Sequence, residues 1–219
     1  MDGLLFDSER IVQRSWEMAG DELGIPHMGD VIYHTLGMNR TGRNEYFRKY
    51  IREDFPFEEF GRLTRDNFWK IVDKEGLPLK KGVKELLAYG KAQGYKMAVA
   101  TSSSREYAMG NLIRAGIDPY FDSVICGDMV KKAKPDPEIY QKASESLGIP
   151  PEYCMAFEDA PGGILSAHQA GMQVIMVPDL VQPTEEIREL TYRVCDSLAD
   201  VIGDGKSGFF PVPGGFQAR

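Results

Sequence analysis

Three short polar stretches carry residue types that could do chemistry together. Glu158 and Asp159 are adjacent carboxylates closing the apolar run Cys154-Met155-Ala156-Phe157. Pro161 then suits the first turn of a helix, with Ile164, Leu165 and His168 at helical spacing and Gly171 as the expected C-cap. An acid pair thus stands where a strand gives way to a helix. In open α/β sheets ligands bind at that carboxyl edge, and hard cations such as Mg²⁺ take carboxylate oxygens there. Asp159 as a plain helix cap would explain the same residues. Thr101-Ser102-Ser103-Ser104 follows Val99-Ala100, and hydroxyls beside free helix N–H groups suit phosphate. Serine N-capping is the simpler alternative. In Lys131-Lys132-Ala133-Lys134-Pro135-Asp136-Pro137, Pro135 keeps Lys134 extended and outside the next helix, as a point charge for phosphate. Lys131 and Lys132 read as solvated. A hydroxyl, a cation and an acid pair on one sheet edge are the equipment of phosphoryl transfer with a metal.

The elements that must position these residues alternate. A helix over 82–91 precedes a strand over 95–101. A helix over 105–115, a strand over 123–126 and a helix from Asp136-Pro137 to Leu147-Gly148 follow. Then come strand 154–157, its helix, strand 173–177, a helix near 184–190 and a short strand near 193–195. Strand–helix alternation predicts a parallel sheet covered on both faces. Before it, from about residue 8 to 79, only helical patterns occur. They lie at 8–23, with Val12, Trp16, Ala19 and Leu23 on one face, and near 31–36, 43–52 and 57–74. Asp7 or Ser8 can cap the first of these. The tail from Gly205 to Arg219 is rich in Gly and Pro and is expected to be loose.

The chain has 219 residues, a net charge of −7 and a hydrophobic fraction of 42%, enough for one large domain or a core with an insert. The acidic balance argues against nucleic acid or an anionic membrane surface as partner. No apolar run reaches the length of a membrane span, and Asp2, Asp7 and Glu9 stand where a signal peptide would be basic. Cys126, Cys154 and Cys195 all lie in strand-like runs, which points to buried thiols in a reducing compartment. A cytoplasmic monomer is the expectation. His27, His34 and His168 are scattered and carry no metal signature.

Asp2-Gly3-Leu4-Leu5-Phe6-Asp7-Ser8-Glu9, Thr101-Ser102, Lys134-Pro135 and Glu158-Asp159 with Gly162-Gly163 resemble, in order and spacing, the four motifs of the haloacid dehalogenase superfamily. The helical insert after the first motif resembles the small cap of its β-phosphoglucomutase-like branch. The resemblance implies a Rossmann-like, doubly wound α/β core over residues 1–7 and 80–219, with an all-helical cap over 8–79. It also implies Mg²⁺ as cofactor and a small phosphorylated metabolite, such as a sugar phosphate, as substrate. Asp2 matches the general acid/base, whose backbone carbonyl also binds the metal. Thr101 matches the hydroxyl that holds the phosphoryl group, and Lys134 the neutralising lysine. Asp159 matches a direct metal ligand and Glu158 a direct or water-mediated one. Ser102, Gly3 and the cap-loop residue Arg40 match positions that touch substrate.

The family's nucleophile is an aspartate two residues before Asp2, so the resemblance puts it just upstream of Met1, on a central strand. The polypeptide starting at Met1 is therefore expected to be inactive by itself. Competing readings are a phosphomutase and a non-catalytic phosphate- or metal-binding relative. The branch's mutases carry a cap histidine where this chain has Val12, which weakens the first. Dehalogenase activity fits less well, since Gly3 and Glu158-Asp159 follow the metal-dependent pattern.

Overall fold

The computed structural model describes residues 1–35 and 40–202, apart from the side chains of Arg40 and Thr41. The tail from Gly205 lies outside the described residues. The chain divides into two compact units, Asp7–Pro78 and Met1–Phe6 with the described chain from Leu79 onward.

The Asp7–Pro78 unit is helical: α1 (Ser8–Leu23), α2 (Met28–Thr35), α3 (Arg40–Tyr50) and α4 (Phe57–Glu75). Asp7 occupies the N-cap position of α1 but makes no side-chain cap bond; its carboxylate pairs with Arg10 at 3.1 Å instead. Gly24 closes α1 with φ +66°, a left-handed turn that glycine enters freely. The inward face of α1 explains the unit's cohesion. Trp16 meets Phe47 and Phe60 edge-on, each at 5.6 Å between ring centroids, and Val12 packs against the same cluster. Burying each such ring stabilises the fold by roughly 1.5–3 kcal/mol.

The other unit contains α5 (Val83–Ala92), β1 (Ala98–Ala100), α6 (Arg105–Arg114), β2 (Ser123–Ile125), α7 (Glu138–Leu147), β3 (Met155–Glu158), α8 (Pro161–Gln169), β4 (Gln173–Met176), α9 (Glu185–Glu189), β5 (Arg193–Val194) and α10 (Ala199–Ile202). Every strand pairing is parallel, as strand–helix alternation requires. The strands form two sheets, however: β1 with β2, and β3–β4–β5. Among the described residues β1 and β3 each have a strand partner on one side only. The run expected over 95–101 narrows to Ala98–Ala100, although Asp122 N–H donates to Met97 O at 2.7 Å and Thr101 N–H to Ile125 O at 3.0 Å just beyond its ends.

α7 packs on β1 and β2, and α8 on β3 and β4. Ile125, Ile139, Ala156, Ile164, Val174 and Met176 form much of the buried cluster between these elements. Val174, Ile175 and Met176 are all buried, the continuous apolar run expected of a strand covered on both faces. Two local expectations are corrected. The C-cap of α8 is Ala170, not Gly171, which follows it with φ +88°. α10 is a short helix with no periodic signal long enough to announce it. Cys126 and Cys195 are buried, Cys154 is partly buried, and all are free thiols. No described helix is long and apolar enough to cross a membrane.

Candidate active site

The loop Met1–Phe6 is wound on itself. The N–H groups of Leu4, Leu5 and Phe6 all donate to the Met1 carbonyl, and Gly3 N–H donates to Phe6 O at 3.0 Å. Gly3 sits at φ +74°, and its missing side chain has a reason. A Cβ there would lie 2.4 Å from Asp159 Oδ2 and 3.2 Å from Asp179 Oδ2. The loop backbone is thus pressed against two carboxylates. Lys80 pairs with Asp179, and its own N–H donates to Leu5 O at 2.9 Å, so one residue ties the loop to the strand-end acid.

Asp2 turns away from these acids. Its Oδ2 accepts from the Ser103 hydroxyl at 2.8 Å and its Oδ1 from the Tyr107 hydroxyl at 3.0 Å. Both donors lie after β1, in the connection and first turn of α6. Thr101, at the end of β1, is 3% exposed, and its hydroxyl oxygen accepts from Ser103 N–H at 3.2 Å. The capping alternative falls on Ser104, which accepts from Tyr107 N–H and is the N-cap of α6. Thr101 and Ser102 are therefore not spent on capping; Ser102 is exposed.

Lys134 joins the ends of β1 and β3. Its ammonium donates to the Ala100 carbonyl at 3.1 Å and to Glu158 Oε1 at 2.5 Å. The same Oε1 accepts from the Tyr140 hydroxyl, and the Lys134 nitrogen lies 4.9 Å from the Tyr140 ring centroid. Burial first, and then the Glu158 charge, push the Tyr140 hydroxyl well above its ordinary value, so it stays a donor. Lys131 and Lys132 are exposed.

Asp159 is not a cap either. The N-cap of α8 is Ala160, with no side-chain cap bond. Burial first, and then the adjacent Glu158 charge, push the Asp159 carboxyl up to about 6, with a small further push from Asp179 and an opposing pull from the Met1 ammonium. Glu158 lies against α8. A Cβ on Gly163 would fall 2.1 Å from its Oε2 and 2.4 Å from its Oε1. Gly163→Ala is therefore expected to displace the carboxylate or the helix, at a cost of about 1–3 kcal/mol. Thermal unfolding checks it; an unchanged melting temperature would mean that Glu158 moves freely.

The structure thus gathers Asp2, Gly3, Thr101, Lys134, Glu158 and Asp159 within one unit, at the strand ends and the loop beside them. Arg40 belongs to α3, and its side chain is outside the described residues. The sequence reading missed Ser103, Tyr107, Tyr140, Lys80 and Asp179.

The model of the haloacid dehalogenase-like hydrolases matches residues 1–177, which include Asp2, Gly3, Thr101, Lys134, Glu158 and Asp159. The chain belongs to that family. A phosphorylated carbohydrates phosphatase of Thermotoga maritima is 31% identical over 175 residues, 80% of this chain and 81% of the relative. The crystal structure of CbbY from Rhodobacter sphaeroides in complex with phosphate superposes with a TM-score of 0.69 at 27% identity, covering 93% of each chain. A hydrolase of the family from Deinococcus radiodurans, solved with bound phosphate and sodium, reaches a TM-score of 0.80 at 23% identity over 96% of this chain and 95% of its own, and supports the fold alone. At the level of the family the chain is a phosphoric monoester hydrolase with a Rossmann-like core.

Proposed function

We propose that this protein is a Mg²⁺-dependent phosphatase of small phosphorylated metabolites, with sugar phosphates as the substrate class. One observation carries the reading: Lys134 spans from the Ala100 carbonyl, next to Thr101, to the Glu158 carboxylate, next to Asp159. A hydroxyl, an ammonium and an acid pair then face the same phosphoryl group. The phosphorylated carbohydrates phosphatase named above supports the substrate class.

Glu158, Asp159 and the backbone carbonyl of Asp2 would hold the cation. Among the described residues no group of three or more His, Cys, Asp or Glu side chains gathers as metal ligands. Two carboxylates with backbone and phosphate oxygens are nevertheless the usual donor set of Mg²⁺. The raised Asp159 carboxyl, crowded by Glu158 and Asp179, marks a place where an added positive charge is favoured. Bound there, the cation would neutralise phosphate charge.

The residues divide the remaining work. Lys134 adds a second positive charge beside the phosphate, and Thr101 donates to a phosphoryl oxygen. In the family pattern the nucleophile is an aspartate two residues before the position that Asp2 fills. Its oxygen forms the bond to phosphorus as the bond to the leaving alcohol breaks, and Asp2 hands that alcohol its proton. Asp2, ionised again, takes a proton from water, which attacks the aspartyl-phosphate and releases phosphate. Ser103 and Tyr107 hold Asp2 from both sides, and their release would let it turn to the leaving group. The mutase alternative gains nothing from α1, which has no histidine.

The test is a panel of phosphate monoesters offered to the chain extended upstream through the expected aspartate. Sugar phosphates are expected to turn over, with activity lost in chelator and restored by Mg²⁺. Lys134→Ala is expected to lower kcat/KM by about a hundredfold or more, as for loss of one charged phosphate-stabilising group. Full activity in chelator, or no turnover of any monoester, would overturn the reading.

A further inference from the structure

Tyr140 lies outside every motif of the chain, yet it is buried at the site beside Glu158. It sits in the first turn of α7, is 6% exposed, and packs with Ile139 and Ala143 in the core cluster. Its hydroxyl and the Lys134 ammonium converge on the same carboxylate oxygen, Glu158 Oε1. Its ring also lies beneath that ammonium, at 4.9 Å. One side chain therefore contacts the lysine through its face and the lysine's counter-charge through its edge.

This arrangement settles how two charges are shared. A carboxylate oxygen answered by the ammonium alone would draw Lys134 wholly into the ion pair. The tyrosine hydroxyl satisfies part of that demand. Among the described residues two of the three ammonium N–H groups are engaged, by Glu158 and Ala100, which leaves a third for an incoming oxygen. Gly163 backs the Glu158 carboxylate closely, at a distance that leaves no room for a Cβ. Oε1 is thereby committed to the protein, and Oε2 is the oxygen left for a cation or its water.

We infer that Tyr140 is a positioning residue, which fixes Lys134 for phosphate and commits one oxygen of Glu158, through a hydroxyl bond and a ring face that act on both at once. The inference rests on the phosphatase reading, because it needs Lys134 to meet phosphate. It predicts a split between ligands. Phosphate meets Lys134, whereas the cation meets Glu158 through the oxygen that Tyr140 does not touch.

Orthophosphate affinity in saturating Mg²⁺, and Mg²⁺ affinity alone, would be measured by calorimetry on the whole chain, with melting temperatures alongside. Tyr140→Phe keeps the ring and removes the hydroxyl. It is expected to weaken phosphate about tenfold while Mg²⁺ affinity stays within about twofold. Tyr140→Leu removes the ring face as well and is expected to weaken phosphate further. A purely structural tyrosine would lower the melting temperature and leave both affinities of the folded protein unchanged. That result, or an equal loss of phosphate and Mg²⁺, overturns the inference. Lys134→Ala separates it from the reading beneath it. If Lys134→Ala weakens phosphate and Tyr140→Phe does not, the positioning role alone fails. If Lys134→Ala leaves phosphate binding intact, the role of the lysine fails, and with it the role of the tyrosine.

Discussion

A polypeptide extended upstream of Met1 by a strand of about 5–6 residues, rich in Val, Ile or Phe and ending Phe-Asp, is expected to hydrolyse phosphate monoesters. The same extension ending Phe-Asn is expected to be at least about a thousandfold slower, the scale of loss when a covalent nucleophile is removed. Two independent features motivate this. The first-motif resemblance places the nucleophile two residues before Asp2. The sheets leave β1 and β3 each paired on one side only among the described residues, and one lysine reaches the ends of both strands. A strand lying between them would complete the ladder on both edges and deliver its last residue beside Thr101 and Asp159. Glu158 and Asp159 are poor substitutes for the aspartate. They would lie beside the phosphate, not in line with its leaving group. Steady-state assays of the two extensions, with melting curves, make the comparison. Equal rates for Asp and Asn would remove the aspartyl-phosphate route. Equal stability with and without the extension would mean that nothing inserts between the strands.

Asp159→Asn is expected to abolish the stabilisation by Mg²⁺ and, in chelator, to make the protein more stable at neutral pH. Burial and the adjacent Glu158 charge push its carboxyl up to about 6 in the folded chain, above the ordinary aspartate value. The folded state then binds the proton more tightly than the unfolded state, so ionisation costs the fold. That contribution is fully present below about pH 4 and is lost as pH rises through 6. In chelator the wild type should therefore lose about 2–3 kcal/mol relative to Asp159→Asn between pH 4 and pH 7, the two curves converging at the acid end. Added Mg²⁺ should reverse the order at pH 7 by binding only the wild type. Urea unfolding at several pH values with and without the cation measures all of it. Parallel pH curves for the two proteins, or an unchanged response to Mg²⁺, would make Asp159 an ordinary buried acid.

The lysine and the acid pair were legible in the sequence because each is fixed by its neighbours along the chain. Pro135 sets Lys134 outside a helix, and a short apolar run ends on Glu158 and Asp159. The simpler capping readings were open at that level and are closed only by knowing which residue starts each helix: Ser104 for α6 and Ala160 for α8. The residues missed are those whose roles come from distant parts of the chain. Ser103 and Tyr107 meet Asp2 from about a hundred positions away, and Lys80 meets Asp179 across a similar separation. Tyr140 offered a usable signal. It falls on the inward face of α7 with Ile139 and Ala143, and a buried tyrosine needs a partner for its hydroxyl.

The two crossings of the chain between Phe6 and Asp7 and between Pro78 and Leu79 lie side by side. Phe6 bridges Leu79, Asp7 N–H donates to Pro78 O at 2.9 Å, and Lys80 N–H donates to Leu5 O at 2.9 Å. The chain enters and leaves the helical unit through a base like that of a hairpin, and in chain connectivity everything between those bonds is one loop. Loop-closure entropy rises only with the logarithm of length, by about 0.6 kcal/mol per doubling. From a tight turn of about four residues to an insertion of this length is about four doublings, roughly 2–3 kcal/mol of closure entropy, a modest cost for so large an insertion. Such a joint lets evolution lengthen, shorten or exchange the inserted unit as a cassette. Changes of length or sequence inside the cassette then leave the bonds at its base in place.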